Sequence, residues 1–198
     1  MDGLDARKLA LRDQISTARR RRSLLEVREA ADAIANLLMA DTEIRRAATI
    51  AAYVSRPTEP GTGPLLERLA EAGKRVILPV LEPDGDLDWA VYAGPENLLP
   101  AGRGLLEPAS PRLGHDAISR ADAVLTPGLA VDRTGMRLGR GGGSYDRALA
   151  RVVPGTFVCT LLYAGEVLEA VPAGPHDKRV SAAVTPDGIL RFPGRLSA

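Results

Sequence analysis

The chain has 198 residues, 45% of them hydrophobic, enough for one domain with a substantial core spanning 1–198. Its 26 Lys+Arg are balanced by 25 Asp+Glu to a net charge of +1, which excludes a global field recruiting nucleic acid or an anionic membrane, so any anion must be held locally. A single cysteine, Cys159 in the apolar run FVCTLLY, excludes an internal disulfide and reads as a buried strand thiol, and no apolar run approaches the roughly 20 residues of a membrane span. With a charged rather than apolar N-terminus, the chain is expected in the cytoplasm, as a monomer acting on small molecules.

In chain order, the spacing of Leu4, Leu11 and Ile15 predicts a helix over 5–22 whose last turn carries the arginines Arg19 to Arg22, read as a solvated helix end complementing the dipole. Ser23 and Glu26 form a capping-box pattern that opens a second helix running to about Ala40. The run ATIAAYV, the amphipathic LLERLAEAG ending at Gly73 and the run RVILPVL then predict a βαβ unit, which requires parallel strands covered by helices. Further strands are expected over 87–92, 123–126, 156–163 and 180–185, and the Pro- and Gly-rich stretch 94–119, where Leu105 and Leu106 persist, is expected as an irregular connection over the sheet edge.

The chemistry concentrates in 126–152. Gly139, Gly141, Gly142 and Gly143 fall within five positions, and glycine loses more conformational freedom on folding than any other residue, so a ligand close to the backbone is the expected reason. Backbone amides in such a turn, followed by a helix beginning near Tyr145 and Asp146, form an anion nest suited to phosphate, and Arg137 and Arg140 add planar forks for phosphoryl oxygens. The alternative for the glycines is a close-packed loop crossing; for Asp146, helix capping stands beside ligation of Mg²⁺. Ser144 and Tyr145, not Lys-Ser/Thr, follow the glycines, which rules out a P-loop; Ser144 also breaks the dinucleotide pattern GxGxxG at its third glycine. Two histidines, His115 and His176, with no GxSxG elbow and one cysteine, leave neither a serine-hydrolase triad nor a usual zinc site.

The run from Pro127 to Asp132, Gly135, the segment Arg137 to Gly143 and the trio Tyr145, Asp146 and Arg147 together resemble the signature of the 5-formyltetrahydrofolate cyclo-ligase family. Lys8 and Arg12 resemble that family's N-terminal Lys and Arg, and Val171-Pro172 with Pro175, His176 and Asp177 its C-terminal segment, so the resemblance spans the chain. It implies an α/β fold, a three-layer Rossmann-like domain with a central, mostly parallel sheet flanked by helices. It also implies ATP- and Mg²⁺-dependent cyclisation of 5-formyltetrahydrofolate to 5,10-methenyltetrahydrofolate, with ADP and phosphate released through a phosphorylated formyl intermediate.

Carried onto this sequence, the resemblance implies that Arg137 and Arg140 are catalytic, and that Lys8, Arg12, Arg137, Leu138, Gly139, Arg140, Gly141, Gly142, Gly143, Ser144 and Tyr145 bind ATP. Val54, Glu59 and the run Arg140 to Ser144 would contact the folate, and Asp146 and Asp177 the Mg²⁺. Two positions depart: Ser144 stands where the family usually has an aromatic, and Val131 where Phe is common, so two ring contacts are expected to be missing from the substrate pocket. Ser181, Ala182 and Ala183 replace acids. The competing readings are a paralogue with the same nucleotide nest and another substrate, and an RNA-binding protein using Arg19 to Arg22.

Overall fold

The computed structural model describes residues 3–192. Helix α1 (Gly3–Arg20) stops two residues before the expected end, its last turn tightening through Arg21 and Arg22 amides that donate to Ala18 and Arg19 carbonyls. The arginine cluster is a solvated end only in part: Arg20 and Arg21 are exposed, but Arg19 and Arg22 turn inward. Arg19 is only 2% exposed, and the Arg22 guanidinium lies 4.1 Å over the Tyr163 ring, because this face of the helix packs onto the body of the domain. That correction also removes half of the basic face an RNA-binding reading would need.

Helix α2 (Leu24–Ala40) starts with the predicted capping box, Glu26 N–H donating to Ser23 Oγ at 3.2 Å and Ser23 N–H to Glu26 Oε2 at 2.7 Å. It buries Ala30, Ala31, Ile34, Ala35 and Leu38, a stripe at helical spacing, and a short α3 (Thr42–Arg46) follows. Then come β1 (Thr49–Ala51), α4 (Gly63–Glu71) and β2 (Arg75–Leu81), with β1 and β2 parallel as the βαβ reading requires. β3 (Leu87–Val91) returns antiparallel to β2.

The stretch expected to be irregular holds a hairpin, β4 (Leu98–Pro100) with β5 (Leu106–Pro108), between two 3-10 turns. Its strands are three residues each, too short to show a period of two. β6 (Ala123–Pro127) re-enters the main sheet; β7 (Ala130–Asp132) and β8 (Arg137–Leu138) form a small hairpin; α5 (Ser144–Leu149), β9 (Phe157–Leu161), β10 (Val167–Leu168), β11 (Ala182–Thr185) and β12 (Gly188–Arg191) complete the chain.

The main sheet runs β12-β11-β9-β6-β1-β2-β3; its five inner strands are parallel and its two edges antiparallel. Alternate residues feed two cores. Ala123, Leu125, Cys159, Leu161, Ala182 and Val184 face α2 and α4, while Val124, Val158 and Ala183 face the 3-10 turn at Ala117–Ile118 and Ala148–Leu149 of α5. Helix α1 lies apart, packing Ile15 against Leu129 and against Ala130 and Leu138 of the small sheet β10-β7-β8. Among the described residues no helix is long and apolar enough to cross a membrane.

Strand order also locates the site. From β1 the chain builds outward through β2 and β3, then crosses back to β6 on the other side of β1, so the connections diverge between β1 and β6. In open α/β sheets the crevice beyond the strand carboxyl ends at such a switch point is where ligands bind.

Candidate active site

Beyond the carboxyl end of β6, Pro127 and Gly128 turn the chain into the signature loop. Two buried arginines pin that corner: Arg137 Nη1 donates to Pro127 O at 3.1 Å and Arg19 Nη2 to Gly128 O at 2.8 Å. Arg19 is itself fixed by a two-pronged pair with Glu166, Nε to Oε1 at 2.8 Å and Nη2 to Oε2 at 2.7 Å. A Cβ on Gly128 would stand 2.5 Å from Thr160 Cγ2, so this corner accepts no side chain. Asp132 closes the following turn, its Oδ1 accepting from the amides of Thr134 and Met136 and its Oδ2 from Val171, a structural role for the signature's acid.

The glycine loop hangs from this corner. Gly141 and Gly143 adopt φ of 101° and 70°, which L side chains rarely tolerate, and the N–H groups of residues 139–143 donate to no protein acceptor among the described residues. The helix after them, α5, has only six residues. An anion held here would therefore meet the loop amides more than the helix dipole expected from the sequence.

Every residue predicted for the site lines one cavity of about 1040 Å³: Lys8 and Arg12 from α1, Val54 and Glu59 after β1, the loop from Arg137 to Asp146, and Asp177. Lys8 and Arg12, one helical turn apart, reach the same wall, Arg12 Nε donating to Gly139 O at 2.9 Å and Lys8 Nζ to Asp177 Oδ2 at 2.5 Å. Leu138 is buried under the loop as packing against Ile15 and Leu129. Ser144 borders the cavity, whereas Val131 is fully buried in the sheet core away from it, so only one of the two expected ring contacts concerns the pocket.

Pairing within the site was not visible in the sequence. The cations expected at phosphates are matched to the acids expected at the pterin and the metal: Arg140 Nε with Glu59 Oε1 at 2.9 Å, Arg137 Nη2 with Asp146 Oδ1 at 3.0 Å, and Lys8 with Asp177. Glu59 is 5% exposed and its second oxygen accepts from Arg56 N–H at 2.9 Å. Burial pushes the Asp177 carboxyl up, but the Gly174 amide and Lys8 outweigh it, so Asp177 ionises below the ordinary carboxylate range. Among the described residues no three His, Cys, Asp or Glu side chains cluster as a metal cage. Asp146 and Asp177 on one cavity wall nonetheless fit Mg²⁺, which is commonly held by one or two carboxylates, waters and substrate phosphates.

The apolar part of the lining carried little signal in the sequence. Tyr53, Pro79, Leu81 and Leu87 form an apolar face, with Leu105 and Leu106 of the hairpin above it. The Tyr53 and Tyr145 hydroxyls are buried and have no hydrogen-bond partner among the described residues. Burial, reinforced by the charge of Glu59, pushes both phenols well above their ordinary pKa, so each is a neutral donor free to bond a ligand. Tyr53, immediately before Val54 in an apolar strand run, was the one available signal.

The family model for the 5-formyltetrahydrofolate cyclo-ligase family matches residues 5–186. The chain belongs to the 5-formyltetrahydrofolate cyclo-ligase family. A 5-formyltetrahydrofolate cyclo-ligase of Mycolicibacterium smegmatis is 43% identical over 143 residues, covering 70% of this chain and 73% of the relative. The cyclo-ligase of Escherichia coli strain K12 is 33% identical over 182 residues, 87% of this chain and 98% of that one. Among solved structures, the 5,10-methenyltetrahydrofolate synthetase of Aquifex aeolicus superposes with a TM-score of 0.82 at 27% identity, covering 96% of this chain and 95% of the other. Of the cyclo-ligase signature recognised in 127–147, Pro127, Gly128 and the run Arg137 to Arg147 line the cavity at the sheet's switch point.

Proposed function

We propose that this chain closes the ring of 5-formyltetrahydrofolate to 5,10-methenyltetrahydrofolate at the expense of ATP. The observation that carries the reading is one cavity whose lining suits the two substrates, a glycine loop with uncommitted amides together with apolar and aromatic side chains and buried Glu59. A formamide carbonyl is a poor electrophile and its oxygen a poor leaving group. Transfer of the γ-phosphoryl group to the formyl oxygen releases ADP and makes that oxygen a leaving group; the N10 lone pair then attacks the formyl carbon. Phosphate departs with the formyl oxygen, and the N10 proton is lost to solvent.

The chain's part is to position and to neutralise. Amides of the loop from Gly139 to Gly143, with Lys8 and Arg12 reaching from α1, hold the polyphosphate, while Arg137 fixes the loop corner and orients Asp146. Glu59 accepts from the pterin amide and amino groups, and Tyr53 and Tyr145 donate from the cavity wall. Arg140, 39% exposed at its side chain and bonded to Glu59, exchanges that carboxylate for the transferring phosphoryl group when both substrates are bound. Mg²⁺, held by Asp146 and Asp177, would neutralise charge on the β- and γ-phosphates. The test is isotopic: with a heavy-oxygen label in the formyl group, the label must appear in the inorganic phosphate, and unlabelled phosphate would refute the phosphorylated intermediate.

A further inference from the structure

The cavity wall carries cations in two states. Arg12, Arg137, Arg140 and Arg147 each donate to a carbonyl or carboxylate, whereas the guanidinium groups of Arg56 and Arg103 donate to no protein acceptor among the described residues. Arg56 follows the carboxyl end of β1, and Arg103 sits at the tip of the β4–β5 hairpin. Its backbone is unusual: φ 61°, ψ 23°, the sole positive-φ residue other than glycine among those described. A side-chain-bearing residue held in that region works against a steric penalty, and such outliers gather at ligand clamps.

A second cavity of about 290 Å³ adjoins the first, sharing Val54, Arg56, Glu59, Leu105 and Leu106 with it and adding Val27 and Gly104, the neighbour of Arg103. None of the glycine-loop residues borders it. The two spaces therefore join in one channel around Glu59: the uncommitted amides line the first, Arg56 borders both, and Arg103 borders the first beside Leu105 and Leu106, which the two share. Planar guanidinium forks match carboxylates, and the shared apolar wall of Val54, Leu105 and Leu106 matches an aromatic ring.

We propose that Arg56 and Arg103 bind the carboxylates of the folate's glutamate tail, with the aminobenzoyl ring lying against Val54, Leu105 and Leu106 where the two cavities meet. This rests on the cyclo-ligase reading and assigns the far end of the same substrate. It makes the channel selective for folates carrying at least one glutamate, with further γ-linked glutamates adding carboxylates at the hairpin tip.

The test compares 5-formyltetrahydropteroate, which lacks glutamate, with 5-formyltetrahydrofolate and its triglutamate, on the wild-type chain and on Arg56→Ala and Arg103→Ala. Each substitution is expected to raise KM for the glutamylated substrates about fivefold or more, as loss of a charge-assisted hydrogen bond implies, with kcat and the KM for ATP held. On the pteroate, wild type and variants should share one KM. An equal rise in KM on the pteroate, or no rise on the glutamylated substrates, overturns the assignment. A wild-type chain that turns over the folates, with variants indistinguishable from it, overturns this inference alone; one that turns over none of the three overturns the cyclo-ligase reading and the inference together.

Discussion

Replacing Glu166 by alanine leaves a guanidinium stranded inside the protein. Arg19 and Glu166 have side chains only 1% and 9% exposed, and Glu166 Oε2 also accepts the Tyr163 amide at 2.8 Å. Burial opposes the charge on Arg19, and the hydrogen bonds and charge of Glu166 more than restore it; without the carboxylate, Arg19 keeps the Gly128 carbonyl and a ring 5.4 Å away. Removing one partner of a buried pair costs about 3 to 5 kcal/mol, which for a chain of this length lowers Tm by roughly 6 to 20 °C. Replacing both, Arg19→Met with Glu166→Leu, removes the uncompensated charge and should fall within about 2 kcal/mol of the parent. Urea unfolding of the two singles and the double, read as a mutant cycle, checks this. A Glu166→Ala loss below about 1 kcal/mol, typical of exposed pairs, or a double variant as unstable as the single, would refute the buried-pair reasoning.

Three further outcomes follow from named contacts. Arg140→Ala should lower kcat/KM by at least about tenfold with the fold retained, because charge-clamping arginines in phosphoryl transfer are worth that much or more, and an unchanged rate would remove Arg140 from the mechanism. The Arg151 guanidinium lowers the Asp86 carboxyl from 3.8 to about 2, so its stabilisation is present above the ordinary value and lost as pH falls through about 2; the stability gap between wild type and Asp86→Asn should be flat near neutrality and close over that window, and a gap constant to pH 2 would contradict the pairing. Chelating Mg²⁺ should stop turnover without shifting the Tm of the nucleotide-free protein, since Arg137 and Lys8 already neutralise Asp146 and Asp177; a large drop in Tm would mark a structural metal instead.

Elements with local signals were legible. The capping box at Ser23, the βαβ unit and the glycine loop depend on neighbours in sequence, and the structure keeps each where it was expected. The strands β4, β5, β7, β8 and β10 are two or three residues long and carry no period to read. Arg19 is indistinguishable in sequence from Arg20 to Arg22, and only its partner 147 positions away makes it a core residue. The Arg140–Glu59 pair likewise joins positions 81 apart, so the sequence could nominate both side chains for the site without showing that they meet. Val131 illustrates the converse: a departure from the family pattern drew it toward the pocket, but alternation along β7 turns it into the core.

The central claim is tested most directly by mixing the purified chain with 5-formyltetrahydrofolate and Mg²⁺ and following near-ultraviolet absorbance for the methenyl product, with ATP present or omitted. A cyclo-ligase gives growth that requires ATP and stops when ATP is exhausted. No growth with ATP present, while calorimetry still registers bound ATP, would contradict the claim and assign the cavity to a different formyl or amide substrate.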